Sequence, residues 1–125
     1  MPRILLIDDD DIGRDALARR LMRKGWQVKT CADGDEGLTQ ARDASPNLVV
    51  IAMNIVMPDG WEVTRQIKAD SGARGVPVIA ILDEDTPDER SKAEDAGCDD
   101  LAVRPIHIEA MIEKIQKYVD RQTAS

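Results

Sequence analysis

Four consecutive aspartates, Asp8 to Asp11, follow a short apolar run, Ile4 to Ile7. Carboxylates this close repel one another, so the arrangement costs free energy unless a cation sits among them. A divalent ion such as magnesium, which prefers oxygen ligands, suits such a group. The plainer alternative is that some of these acids cap the helix that follows, where the helix dipole favours negative charge. The two readings are compatible, with Asp10 or Asp11 as the cap and Asp8 and Asp9 turned toward a site. The same charges exclude a phosphate at this turn, where nucleotide-binding folds need a glycine- or hydroxyl-rich loop. Asp83, Glu84 and Asp85 form a second acidic run; they are extra cation ligands or, as is commoner for charges in a loop, a solvated surface. His107, the one histidine, lacks a nearby nucleophile or second ligand and reads as a surface residue. Cys31 and Cys98 have neither metal-ligand spacing nor a disulfide-rich setting, and read as reduced packing thiols of a cytoplasmic protein.

The elements that must position these residues follow from periodicity. Ile4 to Ile7 reads as a strand buried on both faces. Asp11 to Lys24 has helical spacing, with Ile12, Ala16, Leu17, Leu21 and Met22 toward the core, and Gly25 stops it. Trp26 to Cys31 is a second strand and Asp35 to Ala44 a short helix. Leu48 to Met53 is the most apolar segment and so a central strand. Pro58-Asp59-Gly60 marks a turn before a helix over Trp61 to Ala69. A loop spans Ser71 to Gly75, and Val76 to Leu82 is the fourth strand. Thr86-Pro87-Asp88-Glu89 has the composition of a capped helix start, and that helix runs to Ala96 with only alanines to bury. Leu101 to Val103 is a brief fifth strand. Ile108 to Val119 is the last helix, and Arg121 to Ser125 a frayed tail.

Strands alternating with helices through short loops give an α/β fold, a (βα)5 doubly wound five-stranded parallel sheet. In such sheets the functional site lies beyond the carboxyl ends of the strands. That rule selects Asp8 to Asp11, Ala52 to Asn54, Leu82-Asp83 and Arg104-Pro105.

The chain has 125 residues, 42% of them hydrophobic and 33% charged, which suits one globular domain able to bury roughly two thirds of its unfolded surface. The reading is a single domain over 1–125, with the fold over 1–120, a tail over 121–125 and no output domain. A formal charge of −7 argues against a nucleic-acid backbone as partner. No apolar run is long enough to span a membrane, and the first residues lack a signal-peptide pattern. With no Phe and only three other aromatics, Trp26, Trp61 and Tyr118, the core must come from Ile, Val, Leu, Met and Ala.

Several segments, taken together, carry a resemblance. Ile4-Leu5-Leu6-Ile7-Asp8-Asp9 resembles the start of a response-regulator receiver domain, of flavodoxin-like fold, and Pro46-Asn47-Leu48-Val49-Val50-Ile51 its third strand. Asp59-Gly60-Trp61-Glu62-Val63, Val76-Pro77-Val78-Ile79-Ala80, Ala96-Gly97-Cys98-Asp99-Asp100 and Pro105-Ile106 follow in family order and spacing, over essentially the whole chain. The resemblance implies a switch module in two-component or phosphorelay signalling rather than an enzyme. In that family an aspartate ending the third strand takes a phosphoryl group from a histidine kinase or phosphotransfer protein, and an acidic pair holds magnesium. A Ser or Thr and a Lys bind the phosphoryl group, and an aromatic residue in the fifth strand reports the change.

Most of that machinery is altered here. Asp8 and Asp9 match the acidic pair. Counted without gaps from Pro46 to Gly60, the acceptor position is Ala52; an alignment anchored on Met57-Pro58 puts Asn54 there instead. Neither is a carboxylate. The Ser/Thr position reads Leu82, the aromatic position Leu101 and the Lys position Arg104. Pro105 is kept, and in the family its peptide bond is usually cis. Losing a carboxylate removes a ligand, so magnesium binding at Asp8 and Asp9 is expected to be weak or absent, and no cofactor is required. Arg104 remains cationic and is expected to reach Asp8 or Asp9 and partly replace the metal's charge, unless it is simply exposed.

The resulting expectation is a stand-alone atypical receiver, a monomer or weak homodimer, acting by phosphorylation-independent contact with a sensor histidine kinase, phosphotransfer or other signalling protein. The basic first helix is either its docking face or an ordinary solvated one. Alternatives are a conventional receiver using another acid or carrying an engineered acceptor substitution, a phosphohydrolase using Asp8 or Asp9, and a small-ligand module using space left by Ala52 and Leu82.

Overall fold

The computed structural model describes residues 1–70 and 75–123. The loop read at Ser71 to Gly75 and the last residues of the tail therefore fall largely outside the described residues. Five parallel strands, β1 (Arg3–Ile7), β2 (Gln27–Cys31), β3 (Leu48–Ala52), β4 (Val78–Leu82) and β5 (Asp100–Val103), alternate with five helices. These are α1 (Asp11–Arg23), α2 (Gly34–Asp43), α3 (Gly60–Ala69), α4 (Pro87–Ala96) and α5 (Ile108–Thr123). The sheet order is β2-β1-β3-β4-β5, so the chain reverses direction across the sheet between β1 and β3. α1 packs with α5, and α2, α3 and α4 pack in series, which gives the doubly wound arrangement its two helical layers.

Burial explains why the three central strands are legible as continuous apolar runs. Every residue of β3 and β4 is buried, as is β1 after Arg3. A strand with helices on both faces has no solvent side to alternate toward. β2 and β5 lie at the edges and carry polar residues such as Lys29 and Asp100, which discourages pairing with another chain.

Local chemistry sets the helix starts. Asp10, Asp33, Asp59 and Thr86 each accept a hydrogen bond from the amide three residues on, and each such cap is worth about 1 kcal/mol. His107 does the same for α5, its Nδ1 accepting from the Ala110 amide at 3.3 Å. The surface histidine is thus a helix cap.

Three expectations are corrected. Ile12 is 85% exposed and Met22 50% exposed. The face of α1 that meets the core carries Leu17, Ala18 and Leu21, and Ile12 lies about 140° round the helix from Leu17. The last helix continues past Val119 to Thr123, so the segment read as a tail from Arg121 is helical at its start. Arg121 also lies over the Tyr118 ring at 5.2 Å.

The loop after β3 is held by close backbone contact. The Gly60 amide donates to the Met53 carbonyl at 3.1 Å. A Cβ on Gly60 would lie 2.5 Å from Met53 Cα and 2.7 Å from the Ala52 carbonyl oxygen. Both neighbours are backbone and cannot swing aside. Gly60→Ala is therefore expected to lower stability by about 2 kcal/mol, seen as a lower urea midpoint at unchanged slope. A loss below about 0.5 kcal/mol would show that the contact is slack.

Candidate functional site

The carboxyl ends of β1, β4 and β5 bring one arginine against three aspartates. Asp8 directly follows β1 and is buried, with 3% of its surface exposed. Its amide donates to the Cys31 carbonyl at 3.0 Å, which ties the residue to β2. Its Oδ1 accepts from the Asp10 amide at 3.0 Å. Arg104 follows β5, and its amide donates to the Leu82 carbonyl at 2.9 Å, which extends the β4–β5 ladder and aligns the side chain. From there Nη2 donates to both Asp8 oxygens at 2.8 Å. Nε donates to Asp83 Oδ1 at 3.1 Å, and Nη1 lies 3.8 Å from Asp10 Oδ2.

Burial opposes the charge on Arg104, but the hydrogen bond it donates to Asp8 and the charges of Asp8 and Asp83 outweigh it and raise its pKa above the ordinary arginine value. The guanidinium is held as a cation between two loops. Arg14, from α1, adds a donor from the other side: its Nη1 reaches the Asp8 carbonyl at 3.0 Å and Asp11 Oδ1 at 2.8 Å.

The remaining residues singled out from the sequence are distributed unevenly. Asp9 is exposed, and among the described residues its side chain makes no hydrogen bond or ion pair. It does not join the cluster, which corrects its placement in the acidic pocket. Asp10 serves as the α1 cap, not Asp11. Ala52 ends β3, fully buried beside Ile81 of β4. Leu82 ends β4 at 1% exposure. The small-ligand alternative expected open space at these two positions, but both are sealed from solvent. Asn54 is exposed in the loop after β3, and Leu101 is half-buried in β5. The Arg104–Pro105 peptide is cis, as the resemblance implies, and so is Met57–Pro58.

Asp83 is the partner that sequence reading undervalued. It belongs to an acidic loop run, which is ordinarily solvated, yet β4 and β5 are neighbours and their ends place Asp83 beside Arg104. The strand order contained that signal. A cleft of about 470 Å³ opens beside the ion cluster, lined by Asp8 and Arg104 together with Ala16, Leu17, Ile106 and Ile108. Of the basic residues on α1, Arg14 and Arg20 are engaged internally, Arg20 with Glu109 of α5; Arg19, Arg23 and Lys24 are exposed. Both cysteines behave as packing residues. Burial pushes the Cys31 thiol up to about 11, with Glu36 and Asp33 adding to it. Burial likewise pushes Cys98 up to about 11, against a hydrogen bond from Thr64.

Among the described residues, no group of three or more His, Cys, Asp or Glu side chains is arranged to hold a metal ion. No described helix is long and apolar enough to cross a membrane.

A doubly wound sheet in this strand order, with an acidic cleft where the order reverses, is the architecture of a receiver-type signalling module. The chain belongs to the response regulator receiver domain family, whose match spans residues 4–116. It is similar to the response regulator MprA of Mycolicibacterium vanbaalenii, 32% identical over 121 residues that make up 97% of this chain and 52% of that protein. The chain thus spans about half the length of this relative. Among solved structures, the chemotaxis response regulator CheY4 of Vibrio cholerae matches with a TM-score of 0.89 at 24% identity, covering 94% of this chain and 98% of that one. The receiver domain of a sensor histidine kinase from Pseudomonas aeruginosa matches with a TM-score of 0.83 at 24% identity, over 99% of this chain and 98% of that one. That structure holds a magnesium ion in its active-site cleft.

Proposed function

We propose that this receiver signals by protein contact without taking a phosphoryl group at the usual place. Ala52, at the end of β3, stands at the acceptor position on the ungapped alignment, and a methyl group has no nucleophile. Asn54, the alternative, offers a neutral amide in an exposed loop. Leu82 has no hydrogen to donate to a phosphoryl oxygen. The observation that carries the reading is the seating of Arg104 on Asp8 and Asp83. The charge of the cleft is partly offset from within the chain, and the buried strand ends around it are hydrocarbon.

The partners this favours are a sensor kinase or a phosphotransfer protein, engaged through a preset surface. The cleft between α1 and the loop after β5 supplies apolar walls, and Arg19, Arg23 and Lys24 leave the α1 surface locally basic in an acidic protein. The phosphohydrolase reading loses support because the strand end that should bind phosphate ends in buried Leu82.

The test is intact-mass spectrometry after incubation with acetyl phosphate and magnesium, beside a competent receiver. The expected result is an unmodified chain under conditions that modify the control. A hydroxylamine-labile adduct of one phosphoryl group, on any aspartate, would overturn the proposal.

A further inference from the structure

We propose that Arg104 is itself the resident cation of the cleft, a tethered counter-ion that excludes divalent metal and clasps the loops after β1, β4 and β5 in one arrangement. The inference rests on the reading above and extends it to the regulation of the same site.

The argument begins with the donor set. Magnesium requires near-octahedral oxygen ligands at about 2.0–2.1 Å and gives up its waters reluctantly. Among the described residues Asp8 is the one buried carboxylate near the cleft, and both its oxygens already face Nη2 at 2.8 Å, with Oδ1 also taken by the Asp10 amide. An entering ion would have to displace a guanidinium held by charge-assisted hydrogen bonds, the stronger kind. It would also have to assemble a ligand group that the described residues do not present.

The geometry is specific to arginine. Nη2 serves Asp8 while Nε, a separate nitrogen of the same guanidinium, serves Asp83. A lysine gathers its three N–H groups on one nitrogen and lacks the planar fork that lets Arg104 meet two carboxylates through separate nitrogens. The bridge joins the loop after β1 to the loop after β4, and does so from the loop after β5. A free ion comes and goes with its concentration, whereas a side chain anchored by its own backbone hydrogen bond to Leu82 does not dissociate. The receiver's cleft is therefore indifferent to metal supply.

The expected readout uses Mn²⁺ as probe. In the intact chain, equimolar Mn²⁺ gives no selective broadening of the amide resonances of Asp8 and Asp83, and Mg²⁺ at constant ionic strength leaves the melting temperature unmoved. In Arg104→Met, with the three carboxylates released from their cation, selective broadening appears at both amides and Mg²⁺ raises the melting temperature. Selective broadening in the intact chain equal to that of the variant overturns the proposal, as does a variant as indifferent to metal as the parent. Should Arg104→Met fail to fold, the neutral and polar Arg104→Gln replaces it, with the same two outcomes read against the intact chain. Metal binding by the intact chain with no phosphoryl adduct sinks this inference alone; an adduct without metal selectivity at Asp8 sinks the broader reading instead.

Discussion

Arg104→Met is expected to lower stability by about 3 kcal/mol at pH 7, the low end for a buried carboxylate left without its cation. The measurement is urea unfolding followed by the fluorescence of Trp26 and Trp61. Two effects compete in setting the size. Exposed ion pairs contribute about 0–1 kcal/mol, and the Arg104 and Asp83 side chains are 23% and 52% exposed. The Asp8 side chain, however, is only 4% exposed, so its charge cannot recruit bulk water when the guanidinium is gone. What remains is the Asp10 amide at 3.0 Å, a single hydrogen bond. Burial therefore decides, and the loss exceeds that of a surface pair. Methionine keeps an apolar stem against the cleft wall, so the change reports mainly the charge rather than lost packing. Arg104→Lys recovers part of the loss, since it restores charge without the bridge to Asp83. A loss under about 1 kcal/mol would mean that Asp8 is solvated and the pair is ornamental to the fold.

The sequence disclosed the sheet far better than the cleft. β1, β3 and β4 were legible because burial on both faces leaves uninterrupted Ile, Val and Leu, and Thr86 to Glu89 announced α4 because capping and the helix dipole act within one turn. Such signals are local. Ile12 misled because apolar character at helical spacing does not say which side of a helix the sheet covers; that depends on how α1 crosses the strands. The extension of α5 to Thr123 was hidden because Arg121 and Gln122 are polar, and polar residues continue a helix when one face is already docked. At the cleft, the pairing of Arg104 with an acidic residue of the first loop was anticipated from charge and family spacing, whereas Asp83 was not. Its role arises from β4 lying next to β5, a relation between segments 21 residues apart in the chain, and no window along the sequence displays it. Asp9 errs in the opposite direction: it sits beside Asp8 in sequence, but the backbone turns between them and only Asp8 stays in the ladder, bonded to Cys31.

Ala52→Asp supplies the carboxylate that the proposed reading says is missing, and it is expected to destabilise rather than activate. In the sheet Ile7 pairs with Ile51, so the next residues along, Asp8 and Ala52, come side by side. Ala52 is fully buried. A carboxylate there meets Asp8 on one strand and the apolar end of β4 on the other, and Arg104 already serves Asp8, Asp10 and Asp83. An added buried charge without a partner of its own costs about 3–5 kcal/mol, against a typical total of about 5–15 kcal/mol. The variant should therefore fold with a markedly lower urea midpoint at pH 7 and recover much of it at pH 4, where the new group is neutral. It should also remain poorly reactive toward acetyl phosphate, because Leu82 donates nothing to the incoming oxygens and Arg104 holds Asp8 away from a metal. Adding Leu82→Thr and Arg104→Lys to Ala52→Asp supplies a donor and loosens the clasp on Asp8 and Asp83, and this triple variant is the one expected to gain magnesium-dependent phosphorylation. If Ala52→Asp alone were as stable as the parent and took a phosphoryl group as readily as a competent receiver, the rest of the pocket would be intact, and Arg104 would be a mobile side chain rather than the fixed cation of the cleft.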